Sequence, residues 1–250
     1  MKNRKGIILA GGAGTRLDPL TRVMSKQMLP VYNKPMIFYP LQTLLDMGVD
    51  EILIIAANEL QCNIYKNLFI DEPLNITFKI QDSPKGIPEA FIIGEEFIGD
   101  DDVVLILGDN VFINSGDLEK AETNTIFSYN VSNPQDYGVI TTYTSYSGQR
   151  RIEQIIEKPT EFVSNDAVVG LYAFSNEVVE LAKTLKPSAR GELEIVDLIK
   201  LVDNNAHIPL FVEQLDGHWF DCGSHDSLLE CANVVSAIES RTSLTVGYEA

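Results

Sequence analysis

Three glycines, two cations and a pair of distant aspartates carry the chemistry this chain of 250 residues could perform. Gly11, Gly12 and Gly14 follow directly on the apolar run Gly6 to Ala10. Glycines there let the backbone turn tightly, expose N–H groups and approach a ligand without a Cβ in the way. Arg16 comes next and Lys26 ten residues later. A guanidinium suits bidentate contact with phosphate, and an ammonium adds a compact point charge. Residues 1 to 35 hold seven basic side chains against the single acid Asp18, in a chain whose net charge is -17. A basic island in an acidic protein suggests a local anion site, such as a polyphosphate. The alternative is that Arg16 pairs with a surface acid, and Lys2, Arg4 and Lys5 are read as solvated surface charges.

Three further stretches could contribute. Asp109, in L-I-L-G-D-N, ends an aliphatic strand, the place where parallel α/β sheets bind ligands. It is a candidate Mg²⁺ ligand or, equally, part of a turn-forming Asp-Asn pair. Asp221, in W-F-D-C-G, is a second carboxylate that could clamp the same metal, or could open the turn before the closing helix. Glu157 and Lys158, in I-I-E-K-P, could accept from sugar hydroxyls and hold a phosphate, or form an exposed ion pair. The glycine spacing fits neither a dinucleotide fingerprint nor a Walker loop.

The elements that must position these groups alternate through the first half. Strands are expected at 6–10, 51–57, 76–80 and 103–107, and helices at 38–47, 60–69 and 87–97, the pattern of a parallel sheet covered on both faces. Beyond Asp109 the pattern changes. Strands are expected at 125–131, 138–143, 152–156, 167–174 and 210–214, with helices at 176–185, 194–203 and 227–241. That describes a mixed sheet, not a clean second domain. The tail from Thr242 is expected to be loosely held.

Bulk properties exclude several classes. Acidity argues against a nucleic acid polymer as partner. No stretch has the unbroken apolar length of a membrane span, and the apolar run after Lys5 is too short for a signal peptide. Cys62, Cys222 and Cys231 show no metal-type spacing and suggest a reduced, cytoplasmic protein. His207, His218 and His225 are too scattered to argue for zinc.

In order along the chain, L-A-G-G-A-G-T-R-L, S-K-Q-M-L-P-V-Y-N-K-P-M-I, Q-D-S-P-K-G-I, L-G-D-N, Y-G-V-I, E-K-P, K-P-S-A-R-G-E-L-E-I and D-C-G-S-H-D-S-L resemble the sugar-phosphate nucleotidyltransferases over nearly the whole length. S-K-Q-M-L-P-V-Y favours the thymidylyl-transferring branch. The resemblance implies a Rossmann-like three-layer α/β/α fold with a mixed, mostly parallel central sheet. It implies one nucleotidyltransferase domain over 1–250, with a nucleotide-binding part at about 1–110 and a sugar-binding part at about 111–241, and without the long C-terminal extension of some members. It assigns Leu9, Gly11, Gly12, Ala13, Gly14, Thr15, Arg16, Gln81, Gly86 and Asp109 to the nucleotide. Asn110, Gly138, Glu157, Lys158, Val168, Tyr172 and Trp219 go to the sugar, and Asp109 and Asp221 to Mg²⁺. Arg16, Lys26 and Lys158 are the implied catalytic cations. The implied reaction joins dTTP and glucose 1-phosphate into dTDP-glucose, releasing pyrophosphate, in a cytoplasmic homo-oligomer, a tetramer by resemblance. Transfer of uridylyl, use of another hexose 1-phosphate, or a non-catalytic nucleotide-sugar sensor stand as alternatives. The chain departs from the family pattern at Ile87-Pro88-Glu89, where Leu-Ala-Gln is usual, and at Val169, Val196 and Cys222, where threonine is expected.

Overall fold

The computed structural model of the chain describes residues 4–12, 14–116, 118–205 and 209–250, so Ala13 and His207 lie outside the described residues. The strands in chain order are β1 (Arg4–Ala10), β2 (Pro30–Val31), β3 (Lys34–Pro35), β4 (Glu51–Ala56), β5 (Asn75–Ile80), β6 (Asp102–Leu107), β7 (Asn110–Ile113), β8 (Thr125–Asn130), β9 (Gly138–Thr144), β10 (Arg150–Glu157), β11 (Asp166–Phe174), β12 (Phe211–Gln214) and β13 (His218–Asp221). The helices are α1 (Phe38–Asp46), α2 (Glu59–Leu68), α3 (Glu89–Ile93), α4 (Glu95–Ile98), α5 (Val178–Thr184), α6 (Ile195–Asp203) and α7 (His225–Arg241). The chain forms two compact units, each built from separated segments.

The first unit comprises residues 4–84, 106–119 and 217–250. Strands β6, β1, β4 and β5 lie side by side in that order, β4 running parallel to both β1 and β5. These strands are near-continuous aliphatic runs because parallel strands are buried on both faces. Ile7, Ile8, Leu53, Ile54 and Ile55 are fully buried. Helix α1 packs close to β1 at Gly6, where a Cβ would meet Leu44 Cδ1 at 2.8 Å. Asn58 caps α2 by accepting from the Gln61 N–H, and Ser224 opens α7 with a reciprocal capping box to Ser227. The antiparallel pair β7–β13, not expected from the sequence, sets Asp221 opposite Asn110. The tail also corrects an expectation. Val246 is buried, the Tyr248 N–H donates to the Phe38 carbonyl, and the Tyr248 hydroxyl donates to Glu72 at 2.6 Å. Its apolar and hydrogen-bonding residues dock it where its position at the chain end suggested looseness.

The second unit comprises residues 85–105 and 120–216 among those described. Strand β6 gives its first four residues to this unit and its last two to the other. Here β10, β9, β11 and β6 are neighbours in that order, β8 pairs antiparallel with β11, and β12 runs parallel to β8. The β9–β10 hairpin sets Glu157 opposite Gly138. The helix expected over 87–97 is two short helices, α3 and α4, meeting at Gly94, a poor helix former. No helix among the described residues is long and apolar enough to cross a membrane.

Candidate active site

In the first unit the glycine loop leaves the end of β1. Gly14 sits at φ +64°, a left-handed conformation that costs a side-chain-bearing residue energy, and starts the one-turn helix Thr15–Leu17. The loop is tightly overlaid. A Cβ on Gly11 would meet Gln81 Oε1 at 2.9 Å, and one on Gly12 would meet Lys26 Nζ at 3.3 Å. The expected nucleotide residues Gly11, Gly12 and Gln81 and the expected catalytic Lys26 therefore lie together. The Leu9 carbonyl accepts from the Gly108 N–H at 2.9 Å, which ties the end of β1 to the turn carrying Asp109.

Asp109 and Asp221 also meet. The Cys222 N–H donates to the Asp109 carbonyl at 2.9 Å, extending the β7–β13 pairing by one step. Lys26 Nζ donates to Asp109 Oδ2, and the Asn110 amide donates to Asp109 Oδ1 at 3.1 Å. Trp219 Nε1 in turn donates to Asn110 Oδ1 at 2.8 Å, so the indole fixes which way the amide faces. Arg16 closes the group, since a Cβ on Gly223 would fall 2.8 Å from its Nη2 and 3.0 Å from Asp221 Oδ1.

The electrostatics separate the two acids. Burial alone would raise the Asp109 carboxyl, but the Lys26 charge and hydrogen bond, with the Asn110 amide, bring it below the usual carboxylate range. Asp221 is pushed up to about 6, by burial first and by the charge of Asp109 second, with Lys26 and Arg16 acting in the opposite direction. A divalent cation would relieve that repulsion. The described residues hold no group of three His, Cys, Asp or Glu placed for a metal. Two hard oxygen donors in a cationic surround nevertheless fit an ion that takes one or two carboxylates plus phosphate oxygens and water.

The second unit gathers a different set. Glu157 Oε1 accepts from Arg190 Nη2 at 3.2 Å, and Arg190 also pairs with Glu194 at 2.6 Å. Burial acts to raise Glu194, but Arg190, the Ser188 hydroxyl and the Lys158 charge more than offset it, leaving the carboxyl below its ordinary value. Lys158 holds φ +42°, a strained conformation for a lysine. A Cβ on Gly138 would meet Val196 Cγ2 at 2.9 Å and Glu157 Oε2 at 3.2 Å. Tyr172, buried on β11, has its hydroxyl pKa raised by burial and then by Glu157. Val168 is buried on the same strand. Gly86, at φ +104°, lies against the backbone of Leu193.

The family model described as nucleotidyl transferase matches residues 5–237. The chain belongs to the nucleotidyl transferase family. Within it the chain belongs with the glucose-1-phosphate thymidylyltransferases. It is 44% identical to that enzyme from Neisseria meningitidis over 97% of this chain and 86% of the relative. Against the Mycolicibacterium smegmatis enzyme it is 40% identical over the same shares. A Bacillus anthracis structure described as a glucose-1-phosphate thymidylyltransferase with a sucrose bound superposes with a TM-score of 0.83 at 34% identity, covering 94% of this chain and 96% of that one. A UDP-glucose pyrophosphorylase complexed with UDP-glucose gives 0.80 at 26% identity, covering 94% and 98%. These neighbours are Rossmann-like α/β nucleotidyltransferases, the fold class expected.

The expected site residues thus fall into two groups in this nucleotidyltransferase. Leu9, Gly11, Gly12, Gly14, Thr15, Arg16, Lys26, Gln81, Asp109, Asn110, Trp219 and Asp221 belong to the first unit. Gly86, Gly138, Glu157, Lys158, Val168 and Tyr172 belong to the second. Sequence reasoning gave no role to Arg190 and Glu194, although both lie in the quoted stretch K-P-S-A-R-G-E-L-E-I. An arginine followed two and four residues later by glutamates was the available signal.

Proposed function

We propose that the protein makes dTDP-glucose and pyrophosphate from dTTP and glucose 1-phosphate, in the cytoplasm and as a homo-oligomer, with a tetramer expected. The reading is carried by the convergence of Arg16, Lys26, Asp109 and Asp221 beside the glycine loop. The loop's backbone and Gly14 receive the triphosphate, and Gln81 and Gly86 face the base. Leu9, Ala13 and Thr15 complete the nucleotide contacts. Asp109 and Asp221 would hold Mg²⁺, which when bound neutralises charge on the phosphate oxygens.

Lys26, which donates to Asp109 in this structure, would turn its ammonium toward the phosphates once substrate is bound. Arg16 follows the charge that builds on the leaving pyrophosphate. The sugar 1-phosphate oxygen attacks the α-phosphorus in line, and no covalent enzyme intermediate is required. Lys158 holds the sugar phosphate, and Gly138, Glu157, Val168 and Tyr172 contact the hexose; Asn110 and Trp219 are assigned to the sugar by the family resemblance. Transfer of this kind relies on positioning and charge neutralisation, which this cationic, two-carboxylate site supplies.

The likeness to a UDP-glucose pyrophosphorylase keeps uridylyl transfer as the second reading. A pyrophosphate-release assay with four nucleoside triphosphates and several sugar 1-phosphates, with and without a chelator, separates these. Fastest turnover of dTTP with glucose 1-phosphate, lost on chelation, is the expected result. Preference for UTP would establish the second reading, and silence with every pair would leave a sensor.

A further inference from the structure

A buried hydroxyl on α2 touches both neighbours of Lys26. Ser25 Oγ and the Tyr65 hydroxyl are 2.9 Å apart, and Tyr65 also donates to Gln27 Oε1 at 3.4 Å. All three residues are buried, Tyr65 and Gln27 almost completely. Ser25 and Gln27 flank Lys26, which starts the one-turn helix Lys26–Met28, and the Ser25 side chain makes no capping bond to that helix. The Ser25 carbonyl accepts the Met28 N–H, and the Gln27 carbonyl accepts the Ile37 N–H. The turn is therefore held by its own backbone on one side and by the tyrosine on the other.

A single helical turn is a weak support for a group that must exchange one partner for another. Lys26 Nζ rests on Asp109 and leans over Gly12. Its stem can swing only as far as its Cα stays put. From this we infer that Tyr65 is a positioning residue for Lys26: its hydroxyl clamps Ser25 and Gln27 so that the ammonium is held on the line between Asp109 and the triphosphate. The inference rests on the proposed function and extends it to a residue that touches no substrate. Burial pushes the Tyr65 hydroxyl up to about 12, so it stays a neutral donor over the working pH range. Tyr65 belongs to the same unit as Lys26, and no other side chain on α2 is among the hydrogen-bond partners of residues 25–27 that the structure defines.

Tyr65→Phe keeps the ring in its packing and removes only the clamp. Turnover with dTTP and glucose 1-phosphate is expected to fall about 10-fold, the scale of a modest misplacement of a catalytic group. The KM for glucose 1-phosphate should stay within about twofold, because uniform sugar binding is untouched. The melting temperature should fall by only about 2–4 °C, as expected for one net hydrogen bond in a chain of this size. Ser25→Ala, which removes one of the two bonds, should give an intermediate loss.

The deciding measurement is a double-mutant cycle. In a Lys26→Ala background, Tyr65→Phe should cost less than about twofold further, because both changes act on the same group. An equal further loss in that background, or wild-type turnover in Tyr65→Phe, overturns the inference while leaving the proposed function intact. A wild-type protein that releases no pyrophosphate from any nucleotide would instead overturn the proposed function, and the inference with it.

Discussion

Arg16 and Lys26 do different work although both are cations. Lys26 already has a partner in Asp109, whereas Arg16 is exposed and reaches toward Asp221 and Gly223. Arg16→Ala is therefore expected to lower turnover by roughly 10²–10³, the usual loss when one preorganised charge contact is removed. The KM for glucose 1-phosphate should move far less, and steady-state pyrophosphate release measures both. Asp221 gives a second prediction, in pH and stability. Its pKa of about 6 lies above the ordinary aspartate value, so its protonated form favours the folded, metal-free protein. That contribution is fully present below pH about 4 and is lost as pH rises through about 6. Asp221→Asn should thus stabilise the chelated protein at pH 8 by on the order of 1–2 kcal/mol after allowance for partial exposure, read as a higher melting temperature. The gain should vanish below pH about 4, and the variant should lose metal-dependent turnover.

At the scale of elements, two glycines in the second unit serve different purposes. Gly86 accepts the backbone of Leu193, whose carbonyl oxygen would lie 2.0 Å from a Cβ. Backbone cannot step aside as a side-chain tip can. Gly86→Ala should therefore destabilise the fold by about 3 kcal/mol or more, seen as a large drop in melting temperature. Gly138→Ala would press on the flexible end of Glu157 and on Val196 Cγ2, a buried β-branched methyl with little freedom to move. That substitution should lower stability by only about 1 kcal/mol, well short of Gly86→Ala, and raise the KM for glucose 1-phosphate about 10-fold. A reversed pattern would mean that Gly138 serves packing and not the sugar. The β7–β13 ribbon matters for a related reason. Register in a two-stranded pair decides which side chains stand together, and here it sets Asp221 opposite Asn110, with Asp109 one step further on.

Across the whole molecule, the C-terminal segment reaches back to residues from much earlier in the chain. Val246 joins the core around Val31, Met36 and Tyr39, its carbonyl accepts from Lys34, and Tyr248 reaches Glu72. Deleting residues 242–250 should cost on the order of 2–4 kcal/mol from lost apolar burial and hydrogen bonds. The melting temperature would then fall by roughly 5–10 °C. A truncated protein that melts with the full chain would show that the tail contributes nothing to stability.

The sequence by itself determined the local chemistry of this protein. A glycine turn after an aliphatic strand, two cations following it, and an acid at a strand end are short-range patterns, and their physics acts within a few residues. Most strands and helices were legible for the same reason, since burial periodicity is local. Tertiary structure alone decided three things. It brought Asp109 to Asp221 through an antiparallel pair whose four-residue strands carry too little periodicity to read. It placed Arg190 between Glu157 and Glu194. It also built each compact unit from separated stretches of chain. Each depends on contacts between residues far apart in sequence, whose closure is set by the packing of the whole chain and leaves no mark in the neighbourhood of any one residue.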